Sequence, residues 1–237
     1  MKRIFKILLK VALGFIALLL MAFAILYLVY NQALPEGSKP EQADILAQKM
    51  LKAIQYDAYT QTQFIEWSFA GGTHEYKWDK VNGKVDVKWG DNIVNLNLSN
   101  PQASQVFKDA KEVLGDSKAD LIQKATDFFN NDSFWLVAPF KVFDKGTTRS
   151  LVAFEDGSEG LLVTYSSGGT TPGDSYLWKL QPNGFPISYQ MWVKIIPIGG
   201  LEASWDDWKV MKNGAFLPSS HKLGPVTLSM GDVRAYN

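Results

Sequence analysis

The stretch Thr73 to Trp89 reads THEYKWDKVNGKVDVKW. Tyr76 and Trp78 alternate with Glu75, Lys77 and Asp79, and Val85, Val87 and Trp89 alternate with Lys84, Asp86 and Lys88. Successive side chains of a strand point to opposite faces, so this spacing predicts two strands with one apolar and one wet face. Asn82-Gly83 between them predicts a type I′ turn, whose central residues are both left-handed. Upstream, Ile65, Trp67 and Phe69 keep the same alternation; downstream, Gly90-Asp91-Asn92 turns the chain into Val94, Leu96 and Leu98. The expected element is an antiparallel meander.

Such a meander needs a cover for its apolar face. Before it, Ala43, Leu46, Ala47, Met50, Ala53 and Ile54 recur at helical spacing and predict one amphipathic helix over 40–59. After it, Asn100-Pro101 followed by Val106, Phe107, Ala110, Val113 and Leu114 predicts a helix that ends at Gly115. Ser117 with Asp120 resembles a capping box opening a second helix that carries Leu121, Ile122, Ala125, Phe128 and Phe129. Phe134 to Asp144, FWLVAPFKVFD, has large apolar residues on both parities and predicts a strand covered on both faces and bent at Pro139. Further strands are expected at 150–154, 161–165, 176–180, 187–196, 201–210 and 226–230. The fold class is therefore α+β, a curved antiparallel half-barrel sheet covered by helices.

The N-terminus is of a different kind. Val11 to Tyr30 is twenty residues without a charge, the length an α-helix needs to cross a bilayer core of about 30 Å. The competing reading, a cleaved signal peptide, calls for a shorter apolar core and a small-x-small cleavage site. Ala22-Phe23-Ala24 lies inside the run and Asn31-Gln32-Ala33 matches poorly, which favours an uncleaved anchor. Lys2, Arg3, Lys6 and Lys10 precede the run, and clustered basic residues stay on the cytoplasmic side. The expected division is a basic tip and transmembrane anchor at 1–30, a linker at 31–40 and an exported domain at 41–237, periplasmic to an inner membrane. The linker, NQALPEGSKP, then acts as a tether of at most about 35 Å.

Composition narrows the chemistry. The chain has 237 residues, of which 46% are apolar and 13% aromatic; without the basic tip it holds 20 basic against 24 acidic residues, which argues against a nucleic-acid partner. There is no cysteine, so disulfides, thiolate metal sites and cysteine nucleophiles are excluded. His74 and His221 lack the neighbours of a metal motif, and no nucleophile elbow is present. Ser166 to Thr171, SSGGTT, lacks the lysine of a phosphate cradle and reads as a hairpin loop. The adjacent acids Glu155-Asp156 and Asp206-Asp207 would point to opposite faces of a strand, not at one substrate. No enzyme, metal or cofactor is expected. All eight tryptophans lie beyond the anchor, most at inward parity, which fits either a packed core or a concave face left open for an apolar ligand.

The stretches ADILAQKMLKAI (43–54), THEYKWDKVNGKVDVKW (73–89), FWLVAPFKVFD (134–144) and GDSYLWKLQPNGFPISYQMWV (173–193) together resemble the lipoprotein carrier LolA and its receptor LolB. More nearly, they are similar to exported proteins of Bacteroidetes type with that half-barrel. The resemblance spans most of 41–236 and implies a groove that shields acyl chains. It departs from the carrier in having no arginine between Arg3 and Arg149, so the carrier's lid contact through an early-strand arginine does not carry over. The ligand-lining candidates are Trp67, Phe69, Tyr76, Trp78, Val87, Trp89, Leu96, Tyr176, Trp178 and Met191. The expected ligand is a lipid or acylated protein. The alternatives are an interaction module with an envelope protein partner, or a carbohydrate-binding or hydrolase domain using Trp205 and Trp208.

Overall fold

The computed structural model describes residues 2–168 and 170–237. Met1 and the side chain of Lys2 in the basic tip, and Gly169 in the 166–171 stretch, lie outside the described residues. The architecture is α+β: an apolar N-terminal helix, then three antiparallel sheets that do not close into a barrel, with helices packed against them.

Helix α1 (Lys2–Tyr30) is long and apolar enough to cross a membrane, and none of its apolar window is buried against the rest of the chain. The single amphipathic helix expected over 40–59 is two: α2 (Pro40–Ala53), with Pro40 in its first turn, and α3 (Tyr56–Gln61). Gln55 adopts a left-handed φ of 59° between them. The break turns Tyr59 onto Phe140, ring on ring at 4.0 Å.

The meander forms as expected, as β1 (Phe64–Phe69), β2 (His74–Asp79), β3 (Lys84–Trp89) and β4 (Asn92–Asn97). Its β2–β3 turn differs. Asp79 pairs with Lys84, which leaves a four-residue loop in which only Gly83 has positive φ, and the Asp79 carboxylate accepts from Asn82 N at 3.1 Å. The helix expected over 100–115 does not form. A short 3-10 turn (Pro101–Ala103) leads into a hairpin, β5 (Gln105–Lys108) and β6 (Lys111–Glu112). The two residues between these strands, Asp109 and Ala110, both have positive φ, so the type I′ geometry falls here. The apolar residues that suggested a helix are split, with Val106 in the core and Leu114 exposed.

The second interrupting helix does form, as α4 (Asp116–Val137). Gly115, not Ser117, stands at its N-cap, without a side-chain cap. The helix runs on through the stretch expected to begin a strand, and Ala138–Lys141 continues as 3-10 helix. FWLVAPFKVFD is apolar on both parities because it is the buried end of a helix. Pro139 lies in the first turn of the 3-10 segment, where no amide hydrogen is needed.

The remaining strands are β7 (Thr147–Ala153), β8 (Glu159–Tyr165), β9 (Ser175–Leu180), β10 (Pro186–Trp192), β11 (Leu201–Ser204), β12 (Asp206–Val210), β13 (Phe216–Leu223), β14 (Val226–Ser229) and β15 (Arg234–Tyr236). The strand expected over 201–210 is two, split at Trp205; β13 and β15 were not expected. The large sheet has the order β15-β1-β2-β3-β4-β5-β6, the second β11-β10-β9-β8-β7, and the small third β12-β13-β14. The small sheet joins the other two. Ser68 N donates to Met230 O at 3.1 Å on one side, and Lys222 N donates to Ser204 Oγ at 2.8 Å on the other.

The core has two lobes. The large sheet packs Ile65, Val85, Val94 and Val106 against α3 and α4; the second sheet packs Leu161, Val163 and Tyr189 against Ala43, Ala47 and Met50 of α2. The outer face of the large sheet carries a cross-strand row of Arg234, Glu66, Lys77 and Asp86, alternating in sign and ending on the neutral Asn95. Opposite charges placed directly across a sheet attract, so the row fixes register as well as solubility.

The linker is not a free tether. Gln32 N donates to Gly199 O at 2.9 Å, Trp192 Nε1 donates to Gln32 O at 2.8 Å, and Ser38 bridges Leu151 on β7 through bonds of 2.8 and 2.7 Å. Residues 32–38 therefore cross the outer face of the second sheet, where Val152, Leu162, Leu177 and Trp192 form a small apolar cluster.

Candidate ligand-binding site beneath helix α4

The ten candidate lining residues fall into two groups. Trp67, Phe69, Tyr76, Trp78, Val87, Trp89 and Leu96 belong to the lobe of the large sheet; Tyr176, Trp178 and Met191 belong to the other. They do not line one common hollow. Phe69, Trp78 and Trp89 are half-buried and the other seven are buried, Trp178 completely.

What fills the first lobe is α4. Phe129 meets Trp78 edge-on at 5.3 Å, Phe128 meets Trp89 edge-on at 5.5 Å and lies over His74 at 3.9 Å, and Trp67 stacks on Tyr76 at 4.5 Å. Edge-to-face and offset-stacked pairs of this kind add to the area they bury. The apolar face that would receive an acyl chain is thus occupied by the side chains of one helix.

One polar cluster interrupts these rings. Asp132, on the buried face of α4, is 1% exposed. Its Oδ2 accepts from the Tyr76 hydroxyl at 2.5 Å and lies 2.6 Å from His74 Nδ1, while Asn131 Nδ2 donates to Oδ1 at 2.9 Å. Burial, and after it the Asp132 charge, holds the Tyr76 hydroxyl well above its ordinary pKa, so it stays a donor. Nearby, the indole Nε1 atoms of Trp67 and Trp78 are buried and find no hydrogen-bond partner among the described residues.

Sequence reading missed this cluster, because His74 was weighed only for a metal motif among its sequence neighbours and its partner stands 58 positions away. A signal was present. Asp132 falls at helical spacing from Ile122, Ala125 and Phe129, where a charge is out of place on an apolar stripe.

The second lobe is closed by α2. Arg149 of β7 bonds Asp44 of α2, and its Nη1 donates to Val142 O at 2.8 Å. An arginine does hold a helix to a sheet here, but from a late strand. Trp205 is buried and Trp208 half-buried, with Trp208 Nε1 donating to Trp205 O at 2.9 Å, so these two form no exposed platform for a sugar. Asp156 caps its own turn at Ser158, and Asp206 and Asp207 bond Ser204 and Ser220 separately. Among the described residues no group of three His, Asp or Glu side chains is placed to hold a metal ion.

Two clefts open on the large sheet, and each is lined in part by candidate residues of its lobe, Trp67 and Tyr76 in the first and Trp89 in the second. The first, of about 460 Å³, is lined by charged residues of the large sheet's outer face, Glu66, Lys77, Asp86 and Arg234 among them. The second, of about 390 Å³, lies at the β3–β4 turn beside Asp91 and Asp109.

No protein-family model matches the chain, and no curated protein matches it. Among solved structures, the chain is similar to a DUF1329 family protein from Desulfovibrio piger, at 13% identity over 84% of this chain and 93% of that one, with a TM-score of 0.43. At that score the likeness fixes neither fold nor function.

Proposed function

We propose that the chain is a single-pass inner-membrane protein, anchored by 11–30, whose periplasmic domain binds an apolar chain, such as that of a lipid or an acylated protein, without catalysis. In this reading α4 is a lid and the closed form is the one described above. An entering acyl chain takes the place of Phe128 and Phe129 against Trp67, Trp78 and Trp89. The observation that carries the reading is the buried Asp132–His74–Tyr76 cluster. A polar contact inside an aromatic layer holds the helix less firmly than apolar packing of the same volume would, because each group gives up its hydration to form it. It suits a contact that must break and re-form. Exchange is also what such a binder needs, since a bilayer buries an acyl chain as well as a groove does.

A second reading, an interaction module with an envelope protein, draws support from the packed lobes and from the charged cleft beside Glu66 and Arg234. Photo-crosslinking separates the two. The full chain in native membranes is irradiated with a diazirine-bearing fatty acid or phospholipid, and the modified peptides are mapped. Adducts within 64–89 and 121–137 support the lid. Adducts confined to the anchor and its surroundings overturn it.

A further inference from the structure

The short run Lys194-Ile195-Ile196-Pro197-Ile198 joins β10 to β11; Ile196 packs against the second lobe, and the apolar side chains on either side of it are presented outward. Ile195 is 67% exposed, Pro197 is exposed and Ile198 is half-buried. The core of the second lobe does not call for a further isoleucine, Ile195, exposed at the tip of the hairpin. The loop's place in the fold supplies the reason. Gly199 N donates to Asn31 Oδ1 at 2.8 Å, and Gly199 O accepts from Gln32 N at 2.9 Å. Asn31 N still donates to Tyr27 O at 2.9 Å, so Asn31 is the last turn of α1 itself. Gly200 N donates to Met191 O at 2.9 Å, which closes the base of the loop, and Trp192 Nε1 bonds Gln32 O.

The glycines permit this closeness. A Cβ on Gly199 would stand 2.8 Å from Gln32 O, and one on Gly200, at a φ of +81°, would stand 2.8 Å from Gln32 Cβ. The uncharged run 11–30 rises about 30 Å as a helix, which equals a bilayer core and puts Tyr30 at its boundary. Gly199 is four positions along the chain from Ile195, a reach of at most about 14 Å. The headgroup layer beyond the boundary is about 5 to 7 Å deep. The loop is therefore fixed beside the point where the helix leaves the bilayer, with Leu34, also exposed, on the other strand of the same clamp.

We infer that the β10–β11 loop is a second membrane contact: Ile195, Pro197 and Ile198 insert into the lipid interface beside α1, Trp192 sits at headgroup level, and Lys194 faces the lipid phosphates. The occupant of this apolar patch is a lipid surface, because the anchor brings one to it. Two contacts instead of one hold the domain in a single orientation on the membrane. The inference rests on α1 spanning the bilayer and is independent of what lies beneath α4.

The chain has no cysteine, so single cysteines can be labelled without further change. The full chain, reconstituted in phosphatidylethanolamine and phosphatidylglycerol vesicles, carries an environment-sensitive fluorophore at Ile195→Cys, at Leu20→Cys in mid-anchor, or at Val81→Cys. Val81 is exposed in the β2–β3 turn of the large sheet, whereas the loop belongs to the second sheet. Quenching is read with lipids spin-labelled near the headgroup and near the chain end. The expected result is loss of most Ile195→Cys emission to the headgroup-proximal label, loss at Leu20→Cys to the chain-end label, and none at Val81→Cys. Quenching at Leu20→Cys without any at Ile195→Cys overturns the loop contact and leaves the anchor intact. A blue-shifted but unquenched Ile195→Cys probe overturns it in favour of a protein partner or a second copy. An unquenched Leu20→Cys probe overturns the anchor, and the loop contact with it.

Discussion

His74 Nδ1 lies 2.6 Å from Asp132 Oδ2 and joins β2 to α4 through a layer of aromatic rings. Asp132→Ala removes the acceptor and leaves two donors, the buried Tyr76 and the partly buried His74, without a partner. The expected cost is about 3 kcal/mol. Replacing all three groups, with Asp132→Leu, His74→Phe and Tyr76→Phe, leaves no polar atom stranded and is expected to stay within about 1 kcal/mol of the parent. Urea unfolding followed by tryptophan fluorescence measures both. An alanine variant as stable as the parent would remove the energetic basis of the latch.

Glu66 ties the last strand to the large sheet. Its carboxylate accepts from Arg234 Nη2 at 2.8 Å and from the Tyr236 hydroxyl at 2.6 Å, both on β15. Arg234 is well exposed, so its pair with Glu66 contributes little, and the half-buried tyrosine bond carries more. Glu66→Ala is expected to cost about 1 to 2 kcal/mol. The amides of 234–236 should exchange with solvent faster while those of β7 to β10 do not change.

Gly199 admits the linker. A side chain there would press on Gln32 O and on Trp192 Cδ1, the latter at 2.5 Å. In Gly199→Val the linker should lift from the second sheet, and limited proteolysis of vesicle-bound protein should cut within 33–37 much faster than in the parent. Trp192→Phe, which loses only the indole bond to Gln32, should give a smaller acceleration, in line with about 1 kcal/mol for one hydrogen bond. Equal resistance in all three proteins would mean that the linker bonds do not hold in solution.

His221 gives the fold a pH dependence. Its ring is buried beside Trp135 and Trp205, and burial lowers its pKa below the ordinary 6.5, against opposing pulls from the Ser204 and Trp135 carbonyls and Asp206. The unfolded chain then binds a proton before the folded one does. The stabilisation is complete above pH 6.5 and is lost as the pH falls through the lower folded value. The slope is at most about 1.4 kcal/mol per pH unit. Unfolding midpoints measured from pH 7 downward should fall, and more shallowly in His221→Asn, which keeps a polar group near Ser204 O without titrating in that range.

Much of the fold was legible because the strands of the large sheet face water on one side. Their alternation survives in 64–97, and α2 and the core of α4 announce themselves by the same logic at helical period. The failures have physical causes. In 105–114 two short strands and a tight turn imitate helical spacing, since Val106, Phe107, Ala110 and Val113 fit either period over so short a run. In 134–144 a helix end buried on several sides shows no polar face, so it reads like a strand covered twice. Register and pairing of β13 and β15 depend on partners far away in sequence. Of the candidate site, the inward parity of the aromatic residues could be read, but their division between two lobes, the packing of Phe128 and Phe129 over them and the meeting of His74 with Asp132 are products of tertiary packing.

Whether α4 leaves the sheet as a unit is tested most directly by native-state hydrogen exchange of the full chain in mild denaturant. The amides of 121–137 should open at a free energy clearly below that of β8 to β10, and Asp132→Ala should lower it further while the strands keep theirs. If α4 exchanges only together with those strands, in the parent and in the variant alike, the helix is a fixed part of the core and not a lid.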